Sequence, residues 1–353
     1  VKTAKYRLIC IWLILSIIAY ALFQWEERRH HYEIQEKGIL AAQTMVQMME
    51  IIQLHRIELG LPIDPETDLN ETGMIGEEYT ELTTTLGSLE AKRTSLNPQF
   101  ASLLVWLLHE AGVRPGDTVA IGSSGSFPGI WIASLSACIA LEAQPISILS
   151  LTASQWGANH PLFTLLEMAQ ALRKGGIEHA QVHGLSLGGD EDRALEIDPY
   201  VRKTLMDQVQ ALSIPFMMEE PMEENVEKRM QIYKRADPYG NLSCFINIGG
   251  ALANTGDLLE PHDLIPGLNF PSNTQNPPKN GVIEAMLETE IPVIHVLYLK
   301  GIADQYQILW DPVPLPEPNA YSVPPTSPPS LSILLWIVIA YFGCLLASWL
   351  FFR

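Results

Sequence analysis

The stretch Asp117–Leu135, DTVAIGSSGSFPGIWIASL, carries residue types suited to holding a small polar ligand. It reads as a buried strand over Thr118–Ile121, a loop of small residues over Gly122–Ser126, and an apolar helix from Pro128. A strand that turns through Gly and Ser into a helix leaves backbone N–H groups free at the carboxyl edge of a sheet. Open α/β sheets bind ligands there. Two more predicted strands end in the same way. Leu149 leads into Ser150-Leu151-Thr152-Ala153-Ser154, and Ile248 into Gly249-Gly250-Ala251-Leu252-Ala253-Asn254-Thr255-Gly256-Asp257. In a parallel sheet these ends share one edge, so the loops converge on one crevice. The expected ligand-binding set is Gly122, Ser123, Ser124, Gly125, Ser126, Ser150, Thr152, Gly249, Gly250, Asn254 and Asp257. Lys300, after a strand ending at Leu299, adds a cation. Such groups suit a carboxylate, a phosphate or a peptide; the plainer alternative is that Gly and Ser merely make tight turns.

The loops fix no reaction. The frame from Gly122 to Ser126 ends on Ser, and the frame from Gly125 to Gly129 has Phe127 at its centre, so G-x-S-x-G fails in both. G-x-G-x-x-G and the Gly-Lys of a phosphate loop are also missing. Ser124 and Ser126 are still the candidate nucleophiles, and a serine needs a base within hydrogen-bond reach. His160, His183, His262 and His295 could serve, with Asp257 or Asp263 to orient one of them. For a metal, His179 and His183 would share one face of a predicted strand, and Asp190-Glu191-Asp192 follow. A run of acids after Gly188-Gly189 reads as a solvated turn, so no metal site is assigned and no cofactor is identified.

The elements that must position these residues alternate. Strands are predicted at Thr118–Ile121, Pro145–Leu149, Ala180–Leu187, Cys244–Ile248 and Pro292–Leu299. Helices are predicted at Pro128–Leu141, Pro161–Lys174, Pro199–Leu212, Glu224–Tyr233 and Val282–Glu288, with another at Pro98–Ala111. This pattern predicts an α/β domain with a mostly parallel, Rossmann-like sheet and helices on both faces.

Both ends of the chain are apolar. Leu8–Trp25 and Leu331–Phe352 contain no charge and are long enough to cross a hydrocarbon core of about 30 Å. Lys2, Lys5, Arg7 and Arg353 flank them, while all 40 acidic residues lie between Glu26 and Glu317. The positive-inside rule then predicts two membrane spans in the bacterial cytoplasmic membrane, both termini cytoplasmic and the acidic middle outside. A cleaved signal peptide is the rival for the first span, since Ala19-Tyr20-Ala21 resembles a cleavage site. The resulting order is a start and span over 1–25, a juxtamembrane helix over 26–60, an external α/β domain over 61–310, a Pro-rich spacer over 311–330 and a second span over 331–353. The spacer is expected to be extended and outside any core. The long helix after Glu26 either packs on the domain or offers a seam for a homo-oligomer. A net charge of −18 argues against broad nucleic-acid binding. Of the four cysteines, Cys138 and Cys244 could form a disulfide, but buried free thiols are the simpler reading.

Several strings are long and particular: IGSSGSFPG (Ile121–Gly129), LTASQWGANHP (Leu151–Pro161), FINIGGALANTGD (Phe245–Asp257), IPVIHVLYLKGIADQY (Ile291–Tyr306) and TTTLGSLEAKRTSLNP (Thr83–Pro98). With them the chain resembles the bacterial poly-γ-glutamate system protein family over most of Thr83–Pro312 and over both expected spans. The resemblance implies an accessory or scaffold component of poly-γ-glutamate synthesis or export. Its partners would be the membrane subunits of the synthase or exporter and the lipid bilayer. The alternatives are an external serine hydrolase or transferase acting on γ-glutamyl amides through the Ser124/Ser126 loop, and a solute-binding or sensing domain that uses the same loops without reaction. The resemblance carries over no catalytic residues. A polyanion beside an acidic domain calls for local binding, at the Gly/Ser loops with Lys300, Arg93 or Lys92, or for contact with a single chain end or with another protein.

Overall fold

In the computed structural model, which describes residues 2–258, 262–324 and 341–343, the apolar runs of the middle region become one sheet. The N-terminal half contains α1 (Lys2–Glu58), β1 (Thr83–Thr85), α2 (Leu89–Ser95), α3 (Gln99–Glu110), β2 (Thr118–Ser123), α4 (Pro128–Leu141) and β3 (Gln144–Ser150). Short strands β4 (Ala153–Ser154), β5 (Asn159–His160) and β6 (Phe163–Thr164) precede α5 (Leu165–Lys174). Then come β7 (Val182–Ser186), α6 (Pro199–Gln210), β8 (Phe216–Met217), α7 (Met222–Ala236) and β9 (Leu242–Ile248). The last elements are α8 (Leu252–Thr255), β10 (Gly267–Asn269), α9 (Val282–Glu288), β11 (Val293–Val296) and α10 (Leu299–Tyr306).

The seven-stranded sheet has the order β10-β11-β9-β2-β3-β7-β8. Every neighbouring pair is parallel except β10 with β11, so the sheet is mixed, with one antiparallel edge. The chain winds outward from β2 through β3, β7 and β8, then returns to the other side of β2 with β9 and β11. That reversal creates a topological switch point at the carboxyl ends of β2 and β9.

Both faces of the sheet are covered. On one, Ala120, Ile146, Ile148, Phe245 and Val293 form a cluster with Tyr233 of α7 and Val282, Ile283 and Met286 of α9. Towards the other lies α4, buried throughout except at Ile139, with the Trp131 indole donating to Ser147 Oγ at 3.3 Å. A helix apolar all round belongs in such a setting. Cys138 on α4 and Cys244 on β9 are fully buried free thiols, so the disulfide is not formed. Burial pushes the Cys138 thiol up to about 12 and that of Cys244 higher still.

The chain divides into two compact units, one of Lys37–Val323 and one of Val1–Glu36 with Pro324–Arg353. Among the described residues, no helix is long and apolar enough to cross a membrane. This corrects the expected bracketing spans and the two-span location with cytoplasmic termini and external domain. The apolar run Leu8–Trp25 is only part of one continuous 57-residue helix. It passes without a break into Glu26-Glu27-Arg28-Arg29, and the later turns bring Met45, Met48 and Ile52 to full burial. An uncharged window of this length therefore did not identify a span. The expected second span falls outside the described residues except for 341–343.

The Pro-rich segment also departs from expectation over its described part. Asn70 donates to Pro312 O at 2.9 Å and accepts from the Leu315 N–H at 3.1 Å, while Tyr321 donates to Tyr306 O at 3.0 Å. Tyr321 and Val323 are buried, so this stretch adds to the core. Prolines remove donors but leave carbonyls free to accept, and the residues between them supply apolar anchors.

Candidate functional site

A cavity of about 630 Å³ opens at the carboxyl edge of the sheet, beside the switch point. Each of the three Gly/Ser loops reaches it: Ser124 and Ser126 after β2, Thr152 and Ser154 after β3, and Gly250 after β9. Lys300, in the first turn of α10, lines it too. Its ammonium pairs with Asp304 and lies 5.6 Å from the centre of the Trp310 ring.

The remaining members of the expected set lie around the cavity rather than on its wall. Gly122 is in β2, where an added Cβ would lie 2.5 Å from Asn254 Nδ2. Ser123 Oγ donates to Ser124 O at 3.0 Å, and the Gly125 N–H donates to Thr152 O at 3.2 Å. Ser150 shares a hydrogen bond of 2.9 Å with Ser186 beneath the crevice. Gly249 has φ +80°, and a Cβ there would sit 2.2 Å from Ser124 Oγ, so this position needs glycine twice over. Asn254 is buried with its Oδ1 unpartnered, and the exposed Asp257 accepts from Asn280 at 2.7 Å.

Among the described residues, no histidine lines the cavity. His160 faces Glu77 at 3.7 Å, His183 accepts the Ser147 N–H at 3.2 Å, and His262 accepts the Leu264 N–H at 3.2 Å. His295 meets Asn247 at 3.0 Å, and burial, with His262 nearby, pushes its pKa down to about 4. These contacts give neither Ser124 nor Ser126 an imidazole base. Ser124 Oγ is 3.5 Å from Ile248 O, and Ser126 Oγ accepts the Ser154 N–H at 3.1 Å. Among the described residues, no group of three or more His, Cys, Asp or Glu is placed to hold a metal ion. His179 lies in a 3-10 turn before β7, not on the strand with His183.

A buried basic group, Lys92, also lines the cavity. It lies in α2, a helix capped by Ser88, whose Oγ accepts the Ala91 N–H at 3.2 Å. Lys92 is only 3% exposed, and its Nζ reaches Ser126 O at 2.5 Å and Ser154 Oγ at 2.6 Å. The same nitrogen sits 4.0 Å from the centre of the Phe127 ring. Burial lowers its pKa from the usual lysine range to about 7. Arg93, one residue on, points to Asp311 instead, with Nε 2.7 Å from Oδ1. Ser154 was visible in the sequence only as the end of a loop, and its pairing with Lys92 spans 62 positions.

Two further walls complete the cavity. β1 pairs in parallel with β4, placing Thr85 opposite Ser154. The loop after β7 supplies Gly188, Gly189, Asp190 and Glu196, with Glu196 accepting the Asp190 N–H at 3.0 and 2.9 Å. That loop is anchored from below by the buried pair Asp192 and Arg229, 2.8 Å apart. The mouth is apolar, with Leu86 83% and Tyr298 61% exposed.

No family model, no curated protein and no solved structure matches this chain.

Proposed function

We propose that this chain is a ligand-binding accessory component of poly-γ-glutamate synthesis or export, and that its crevice receives one γ-glutamyl chain end. The observation that supports the reading best is the meeting of three hydroxyl- and glycine-bearing loops with Lys92 and Lys300 on one cavity at the switch point. Hydroxyls and backbone groups match the amide links of such a chain, and the Lys300 ammonium matches its carboxylates. The γ-glutamyl identity comes from the sequence resemblance; the geometry supports only the amide-and-carboxylate class.

Charge limits how much polymer can be held. The chain carries −18 overall, and Asp190 and Glu196 stand on the same wall system as the two lysines. A long polyanion laid across this surface would be repelled, whereas a terminal unit could enter the cavity and leave the rest in solvent.

Calorimetric titration with γ-linked glutamyl oligomers, and with α-linked oligomers of equal length, tests the proposal. Saturable binding of the γ-linked series is expected. Gly250→Phe should abolish it, because the nearest atom to a Cβ at Gly250 is Leu297 Cδ1 at 3.6 Å, and the added ring can fill the cavity without a backbone clash. No heat of binding from any γ-linked oligomer, or binding untouched by Gly250→Phe, would sink the assignment.

A further inference from the structure

We propose that Ser154 and Lys92 form a nucleophile–base pair that cleaves or transfers acyl groups, as amides or esters, in this crevice. The activity rests on the crevice being a binding site, as proposed above, but not on the γ-glutamyl identity of its ligand.

The geometry is that of an activated serine. Ser154 Oγ and Lys92 Nζ are 2.6 Å apart, both residues line the cavity, and both are largely withdrawn from solvent. A base must lie within this reach of the proton it takes. Lys92 makes no ion pair with a carboxylate among the described residues. Its surroundings are a carbonyl, a hydroxyl and the face of a ring. Burial without a counter-charge favours the neutral amine. A neutral amine has two N–H groups and one lone pair. With one N–H given to Ser126 O at 2.5 Å, the lone pair is free to accept from Ser154 Oγ–H.

Ser126 then changes role. Its hydroxyl accepts the Ser154 N–H at 3.1 Å and its carbonyl holds Lys92, so it positions both partners of the pair. Gly87 keeps the approach open, because a Cβ there would crowd Lys92 Cε and Ser154 Oγ, each at 3.3 Å.

The reaction balances with water as the only co-reactant. Lys92 Nζ takes the Ser154 hydroxyl proton as Oγ bonds to the acyl carbon. The carbon–nitrogen or carbon–oxygen bond to the leaving group breaks, and Lys92 returns the proton to the departing amine or alkoxide. Water then gives a proton to Lys92 and attacks the acyl-serine ester. The ester bond breaks, Ser154 Oγ recovers the proton, and a carboxylic acid is released. An amine in place of water gives transfer.

The test uses the full chain with a fluorophosphonate and a β-lactone, read by intact mass and by peptide mapping. Wild type should gain one adduct, on the peptide containing Ser154, which identifies the nucleophile without any substitution. Ser154→Ala should gain none while keeping the wild-type circular-dichroism spectrum. Lys92→Met should react slower by about a hundredfold or more, the effect of removing a general base. Labelling of Ser154 without oligomer binding would leave the pair standing and remove the γ-glutamyl reading. Oligomer binding without any adduct, an adduct on Ser124 or Ser126 instead, or a Lys92→Met rate equal to wild type would overturn the pair and leave Lys92 as a tie between two loops.

Discussion

Lys92 sets the chemistry of the site and also leaves a mark on stability. Burial depresses its pKa to about 7, so between pH 7 and about 10.5 the unfolded chain holds a proton that the folded chain lacks. Its contribution therefore becomes more favourable as pH rises through that window, and below pH 7 the folded state carries the full cost of a buried charge. Lys92→Met removes this dependence. Relative to wild type, the variant should be most favoured below pH 7 and lose that advantage by about pH 10, a change of up to about 4 kcal/mol. Urea unfolding of both proteins at pH 6, 8 and 10 measures it; parallel pH profiles would refute the assignment of Lys92 as the buried titrating group. The burial of this residue was not legible in its local sequence. Lys92 stood beside Lys300 and Arg93 as a possible local binding group, but its burial did not show, and only the fold turns it inward beside Phe127.

At the scale of elements, the cavity depends on a strap outside the main sheet. Residues from Gly76 to Ser88 run beside the stretch 153–159, through β1 with β4 and through the Trp156 N–H, which donates to Glu77 O at 2.9 Å. A Cβ at Gly76 would lie 1.9 Å from Gly157 O and 2.3 Å from Asn159 Oδ1. Gly76→Ala should therefore destabilise the protein by about 1–3 kcal/mol and slow labelling of Ser154, because the strap shifts with β4. An unchanged denaturation midpoint with an unchanged labelling rate would show the strap to be incidental. The strands of the sheet were legible because VAIG, ISIL and FINI are short apolar runs between turn residues. The strap was only half legible. Its β-prone residues were plain, but a three-residue strand pairs with a partner nearly seventy positions away, and no local pattern encodes that. The N-terminal run departs from expectation for a related reason: eighteen uncharged residues look alike whether a helix stops there or continues.

At the scale of the whole molecule, the residues that could do chemistry are held at one edge while the middle of the sheet is sealed. The two buried thiols lie in that sealed region, on α4 and β9, which come from opposite ends of the winding. Both are fully buried, and burial keeps them protonated at neutral pH, so neither is nucleophilic while the sheet is closed. They form an internal clock for opening. Under native conditions, alkylation of Cys138 and Cys244, followed on their separate peptides, should proceed only as fast as molecules expose the core. The two rates should agree and respond together to denaturant. Fast modification of Cys138 with Cys244 protected would mean that α4 lifts from the sheet by itself, and the switch-point crevice would then be a part that opens and closes rather than a fixed cleft.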